Sequence, residues 1–242
     1  MKILCLLQAR MDSSRFPGKT MKPILGKPMI QYILDSLSFS KMIDEIVVVT
    51  SMNSKDDVLV KYLEKNNWKY FRGDEKDVLK RYSDATRKFD GDYIVRVTAD
   101  NPLLDPTIID RVILTTTKNK DDYGSNNLTK SYPYGYTVEV ISKNTLEEIE
   151  KKASNSADRE HVTLFIHKNK EKFKVSSIQA PAELSHPDWR LTVDTAEDYE
   201  LINKIFENLY SETPIKYEAV IDFLLKNPKL LKINEHVRQI QP

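Results

Sequence analysis

Cysteine, glycine and long apolar runs are all scarce in this sequence. Cys5 is the only cysteine, which excludes an internal disulfide and a cysteine-rich zinc site and suits a reducing, cytoplasmic setting. No stretch approaches the roughly 18–20 apolar residues of a membrane span. The opening run Ile3–Leu7 stops at Gln8 and Arg10, short of the roughly 7–15 residues of a secretory signal core. A soluble protein is expected. An excess of one charge is also missing: Lys+Arg 37 against Asp+Glu 36 leaves a formal net charge of +1. That balance argues against a general nucleic-acid or membrane-surface binder, which carries a basic excess. The six glycines, at positions 18, 26, 73, 91, 124 and 135, all lie in the first 135 residues. The tight turns, and the site with them, are expected in that half.

What the chain does have is enough apolar material for a full core. Of its 242 residues, 40% are hydrophobic and 30% charged, which excludes a disordered chain. We expect one large α/β domain over 1–242. Short apolar runs at Ile3–Leu7, Ile46–Thr50, Trp68–Phe71 and Tyr93–Thr98 read as strands. Between them lie helical patterns: one opened by Pro28, one around Val58–Leu63, one around Val78–Phe89, then Pro106–Thr117. This rhythm marks βαβ units and a parallel sheet covered on both faces. In the second half, Asp122–Asn126, Thr137–Ile141, Phe173–Ile178 and Trp189–Val193 read as strands. Asn144–Ala153, Ala157–Asn169, 196–209 and 215–226 read as helices. The tail after Lys226 reads as a surface extension. In such folds ligands sit beyond the carboxyl ends of the strands, so residues just after Leu7, Thr50, Phe71 and Thr98 carry the most weight.

The first of these loops is basic. Between residues 10 and 27 stand five cations, Arg10, Arg15, Lys19, Lys22 and Lys27, against one acid, Asp12. Such a field at the ligand end of a sheet suits a polyanion such as a nucleoside triphosphate, with Ser13 and Ser14 as neutral donors. A solvated loop is the plain alternative. Neither a Walker A loop nor a Rossmann Gly-x-Gly-x-x-Gly occurs.

The loop Gln8–Lys19, with Lys22-Pro23-Ile24-Leu25-Gly26-Lys27-Pro28 after it, resembles the opening of the SpsF-type branch of the cytidylyltransferases, relatives of CMP-KDO and CMP-sialic acid synthetases. The resemblance continues in order. Arg72-Gly73 is followed by Asp77-Val78-Leu79-x-Arg81-Tyr82, and then by Arg96-Val97-Thr98-Ala99-Asp100-Asn101-Pro102-Leu103. Tyr132-Pro133-x-Gly135 and Val138-Glu139-Val140 precede Asp158-Arg159-Glu160-His161-Val162-Thr163. His186-Pro187-Asp188 and Arg190-Leu191-Thr192-Val193-Asp194-Thr195 close it, near residue 205. Several blocks in one order are more specific than any single motif.

The resemblance implies a three-layer, nucleotide-diphospho-sugar transferase-like (Rossmann-like) α/β fold with a mixed, mainly parallel sheet. It also implies a small β-containing arm, 122–175, for the acceptor or for dimerisation. The implied reaction moves CMP from CTP to a sugar acid or phosphorylated acceptor and releases pyrophosphate, for surface polysaccharide synthesis. Mg²⁺ is the implied cofactor and a homodimer the implied state, with no nucleic acid and no membrane as partner. Arg10, Arg15, Lys19 and Asp100 are the implied catalytic residues. The nucleotide would be held by these four with Gln8, Ala9, Ser13, Arg72, Asp77 and Arg81. Glu139, Arg159 and His161 would meet the acceptor.

Asp100 and Asp194 are the implied metal carboxylates, each just past an expected strand. Each also has a local explanation. Asp100-Asn101-Pro102 is turn chemistry, and Asp194/Thr195 before Glu197/Asp198 resembles a capping box. Arg81 and Asp77, four apart, suit an ion pair on a helix face. Asp90-Gly91-Asp92 precedes its strand and reads as a turn at the opposite end of the sheet. Tyr134 and Thr137 stand where SpsF-like sequences often carry aspartates, and Ala196 replaces a proline usual in its block. No side chain is an obvious general base. A glycosyltransferase using a sugar nucleotide and a non-catalytic nucleotide sensor are the competing readings.

Overall fold

The structure of this protein, a computed structural model, describes residues 1–239. Nine strands are found among them: β1 Ile3–Gln8, β2 Pro23–Ile24, β3 Lys27–Pro28, β4 Glu45–Ser51, β5 Tyr70–Gly73, β6 Tyr93–Thr98, β7 Tyr123–Ser125, β8 Glu139–Ser142 and β9 Val175–Ser177. The helices are α1 Met29–Ser38, α2 Asp57–Lys65, α3 Val78–Phe89, α4 Pro106–Asn119, α5 Lys143–Lys152, α6 Ser156–Glu160, α7 Leu164–Lys168, α8 Ala196–Leu209 and α9 Tyr217–Lys226. None of the described helices is long and apolar enough to cross a membrane.

Seven strands form one sheet in the order β5-β4-β1-β6-β8-β7-β9, and β2 pairs with β3 as a separate hairpin. In the sheet β8 alone runs against its neighbours, so the sheet is mixed and mainly parallel, as expected. The strands expected within 122–175 lie in this same sheet. From β1 the chain moves outward to β4 and β5, then returns to lay β6 on the other side of β1. Such a reversal opens a crevice at the carboxyl ends of the central strands.

The apolar run of β1 explains its central place. Ile3, Cys5 and Leu7 point into one core layer with α1, α4, α8 and α9; Leu4 and Leu6 point into the other with α3, α5 and α7. Each is buried almost completely, and full burial of one such side chain contributes about 1.5–3 kcal/mol. Helices α3 and α4 start at side-chain caps. Asp77 accepts the N–H of Lys80 to open α3, and Asp105 accepts that of Thr107 to open α4, with Pro106 at the first position.

Three expectations are corrected. Trp68–Phe71 starts late, as β5 at Tyr70, because the Trp68 N–H bonds back to the Leu63 carbonyl and still closes α2. Trp189–Val193 is no strand. It makes a single bridge between Arg190 and Tyr134, then bonds to the Asp100 carbonyl instead of forming a ladder. The helix over Ala157–Asn169 breaks at His161, whose φ −102 and ψ 83 are not helical. The tail beyond Lys226 does run along the surface over the described residues 227–239, but it is anchored, and residues 240–242 lie outside the described residues. A 3-10 turn at Pro228–Ile233 packs Leu230, Leu231 and Ile233 on the core, and Asn234 is buried.

Candidate active site

An open cleft lies at the carboxyl ends of β1 and β6, where ligands of such folds sit. Its lining combines three cations, Arg10, Arg15 and Lys19, with three acids, Asp12, Asp100 and Asp194. Gln8, Ala9, Ser13 and Ser14 complete the near wall, and Thr98 and Ala99 lie beside Asp100.

The basic loop is tied down along its length. The Met11 N–H donates to the Asp56 carboxylate at 2.7 Å, and the Thr20 hydroxyl donates to the Arg10 carbonyl at 2.9 Å. The Gly18 N–H donates to the Met11 carbonyl at 3.0 Å. Gly18 has φ +72, a left-handed conformation that glycine adopts without Cβ strain. It starts the 3-10 turn Lys19–Met21 that carries Lys19. Phe16 packs on Tyr199 of α8 at 5.6 Å between ring centres. The loop is therefore preorganised, and its residues are held by strands and helices far off in sequence.

Asp56 gave no sign in the sequence, since its role depends on contacts and not on a motif. It is 1% exposed and accepts from Met11, Thr50 and Ser51. Burial alone would raise its carboxyl pKa. The Met11 N–H and the donors of Ser51 and Thr50 outweigh that, and hold it below the ordinary value.

The two expected metal acids meet at Lys19. The Lys19 ammonium lies 2.7 Å from Asp194 Oδ1, 2.7 Å from the Val193 carbonyl and 3.5 Å from Asp100 Oδ2. Asp100 also accepts the Thr98 hydroxyl, and the chain turns at Asp100 and again at Pro102, as the Asp-Asn-Pro sequence suggested. Asp194 Oδ2 takes Arg15 at 3.0 Å and Arg190 at 2.8 Å. Burial pushes the Asp194 carboxyl up, but Lys19, Arg190 and Arg15 overcome this and hold it below the ordinary value.

Behind Asp194 lies a buried support. Arg190 also bonds Asp198 through Nε and Nη2, each at 2.9 Å. Asp198, fully buried, accepts the N–H groups of Asp194 and Thr195 as well as the Asn234 amide. Thr195 and Asp198 form the capping box read from sequence, so Asp194 is a cleft acid set directly before a cap. Arg190 and Asn234 were not singled out as supports; only the block Arg190–Thr195 carried a signal.

A metal ion fits this donor set. Among the described residues no group of three or more His, Cys, Asp or Glu side chains could cage a metal. Two carboxylates sharing one ammonium are present instead, and Mg²⁺ takes one or two carboxylates and completes its shell with phosphate and water oxygens. The ammonium marks where positive charge is accepted.

The other expected site residues stand off the cleft lining. Arg72 donates to the Ser51 and Asn53 carbonyls and pairs with Asp57 at 2.7 Å. Arg81 is buried at 1% exposure, donates to the Asp74 carbonyl, and leaves Nε without a partner among the described residues. Burial lowers its guanidinium pKa most, and the nearby Arg10 charge adds to this. Asp77 pairs with Arg159 and not with Arg81, through Nε at 2.9 and 3.0 Å and Nη2 at 2.5 Å. A residue expected at the nucleotide thus clamps one expected at the acceptor. His161 is half-buried at the end of α6.

Glu139 is enclosed by Arg96, Tyr123 and His167. Burial would raise its carboxyl, but the Arg96 charge, with His167 and Tyr123, drives it far below the ordinary range. Arg96 also reaches Gln8 Oε1 at 3.2 Å, which links this cluster to the cleft wall. Asp90 and Asp92 sit at the far end of the sheet, where Asp90 ends α3 and Asp92 accepts the Lys2 N–H, as the turn reading required.

Comparison with known proteins agrees with this architecture. The cytidylyltransferase family model matches residues 4–237. The spore coat polysaccharide biosynthesis protein SpsF of Bacillus subtilis (strain 168) is 32% identical over 231 residues, 93% of this chain and 95% of that protein. The solved cytidylyltransferase of Leptospira borgpetersenii serovar Hardjo-bovis (strain JB197) superposes with a TM-score of 0.91 at 30% identity and covers 100% of both chains. The CMP:2-keto-3-deoxy-manno-octonic acid synthetase complexed with CTP shares the fold, with a TM-score of 0.65 at 15% identity over 86% of this chain and 99% of that one. This chain belongs to the cytidylyltransferase family and is a nucleotidyltransferase.

Proposed function

We propose that the protein transfers CMP from CTP to a sugar acid or a phosphorylated acceptor, with Mg²⁺, for surface polysaccharide synthesis. The observation that carries this reading is Lys19 reaching Asp194 and Asp100 at once, across a cleft at the strand ends. Cytidylyl transfer is supported by the family; the class of acceptor and the pathway are supported by what SpsF and the octonic acid synthetase are named for.

In this reading the acceptor oxygen bonds to the α-phosphorus as the bond to the bridging oxygen of pyrophosphate breaks. A hydroxyl acceptor gives its proton to solvent, and an ionised phosphate acceptor has none to give. Little covalent work falls to the protein, so orientation and charge carry the rate. Arg10, Arg15 and Lys19 neutralise the triphosphate and the leaving pyrophosphate, with the Ser13 hydroxyl beside them. Asp100 and Asp194 would hold Mg²⁺, which when bound adds positive charge at the phosphate oxygens. The tied backbone of the loop holds the stems of its cations beside the cleft.

The test is a screen of nucleoside triphosphates against sugar acids, sugar-1-phosphates and small phosphorylated metabolites, with Mg²⁺. Pyrophosphate is read through a coupled pyrophosphatase. Pyrophosphate formed from CTP, matched by a CMP-linked product, is expected. Free nucleoside diphosphate formed from a sugar nucleotide would indicate a glycosyltransferase, and triphosphate binding without turnover a sensor.

A further inference from the structure

Three cations share one carboxylate in this cleft, and they differ in their freedom to leave it. Arg190 is 6% exposed and is held by Asp198 as well as Asp194, so it is fixed. Arg15 is a third exposed, on the loop, and reaches Asp194 Oδ2 from the solvent side. Lys19 takes Asp194 Oδ1, the oxygen that Arg15 and Arg190 do not touch, and leans on Asp100.

An ammonium bonded to Asp194 Oδ1, Asp100 Oδ2 and the Val193 carbonyl stands where a divalent cation shared by the two acids would stand. Both cannot be there together, since like charges at contact distance repel. The lining is also balanced, with three cations against three acids. A free divalent cation gains little from such a site: it must evict Lys19 and leave that ammonium unpaired beside it. A triphosphate brings the anionic oxygens that Lys19 and Arg15 need once they leave Asp194.

We propose that Lys19 and Arg15 close the acid pair to free divalent cations, and that a nucleoside triphosphate opens it by drawing them onto its phosphates. Metal then binds with the nucleotide or after it, and not before. This rests on the nucleotidyl-transfer reading above and adds an order of binding to it.

The probe is Mn²⁺, followed by its electron paramagnetic resonance signal. Without nucleotide, Lys19→Met is expected to bind Mn²⁺ at least about tenfold more tightly than the natural protein, because a like charge at contact distance is removed. Adding Asp100→Asn to Lys19→Met should abolish that gain. A second variant guards against local collapse: in Lys19→Ala, ethylammonium added to the solution should compete with Mn²⁺. Equal Mn²⁺ affinity in the natural protein and both lysine variants overturns the binding order and leaves the nucleotidyl-transfer reading standing. If CTP brings no Mn²⁺ onto the natural protein, the transfer reading and the binding order fall together.

Discussion

The carbonyl of Asp100 accepts the backbone N–H of Val193 at 2.8 Å. The same oxygen takes the Thr192 hydroxyl at 3.2 Å. The two acid-bearing segments, 92 and more residues apart in the chain, are thus joined by main chain beside their carboxylates. Leu191 continues the join, because its N–H donates to the Tyr134 carbonyl at 2.7 Å.

Gly135 lies beneath this join and admits no side chain. Its φ is +112, and an added Cβ would come within 2.3 Å of the Leu191 carbonyl oxygen. Gly135→Ala is expected to lose at least about 1–3 kcal/mol from backbone strain alone. Pyrophosphate release should fall further than stability does, since the displaced segment leads to Asp194. Thermal unfolding beside turnover checks this, and a variant of unchanged stability would contradict it.

Lys19→Ala and Asp100→Asn should each lower turnover by at least about 10²-fold, as the loss of one preorganised charge-stabilising group does. Both side chains are partly exposed, at 12% and 29%, so the fold should persist. Circular dichroism and steady-state pyrophosphate release separate the two effects. Near-normal rates in both variants would contradict the assigned roles.

Arg190→Leu tests the support behind Asp194. It leaves Asp198, which is fully buried, without its cation. The expected loss is about 3–5 kcal/mol, typical of a broken buried ion pair. Urea unfolding should show a lower midpoint with an unchanged slope.

Acid should destabilise the protein through Asp56 and Asp194, whose carboxyl pKa values are lowered in the folded state. Between the folded and unfolded values the unfolded chain binds more protons, so stability rises with pH there. Their contribution is complete above the unfolded carboxyl value of about 4 and is lost as pH falls through the lowered native values. Asp56→Asn should flatten the stability curve in that acid range, measured by urea unfolding at successive pH values. An unaltered curve would contradict the role of Asp56 in tying the loop.

Much of this was legible because it lies in runs and periods. The apolar stretches of β1, β4 and β6 could be read directly; strand-end reasoning weighted the loops that carry Lys19 and Asp100, and the family resemblance added Asp194, which follows no strand. Trp189–Val193 shows where such reading stops. Leu191 and Val193 are fully buried, so the apolar residues were a true sign of burial, but burial does not require a ladder. Asp56 and Asn234 were invisible for another reason: each acts through a partner distant in the chain, Met11 and the Arg190 carbonyl, and no spacing records such contacts. Arg190 reaches Asp194 and Asp198 only four and eight residues on, but from outside any helix or strand whose period would have marked the pair. The Asp77–Arg159 clamp spans 82 residues and replaced a helix-face pair that the four-residue spacing suggested.

A crystal structure with CTP and Mg²⁺ tests the central claim most directly. The triphosphate should lie against Arg10, Arg15 and Lys19, with the metal between its phosphates and the carboxylates of Asp100 and Asp194. CTP bound outside this cleft, or a metal held without either aspartate, would contradict the account.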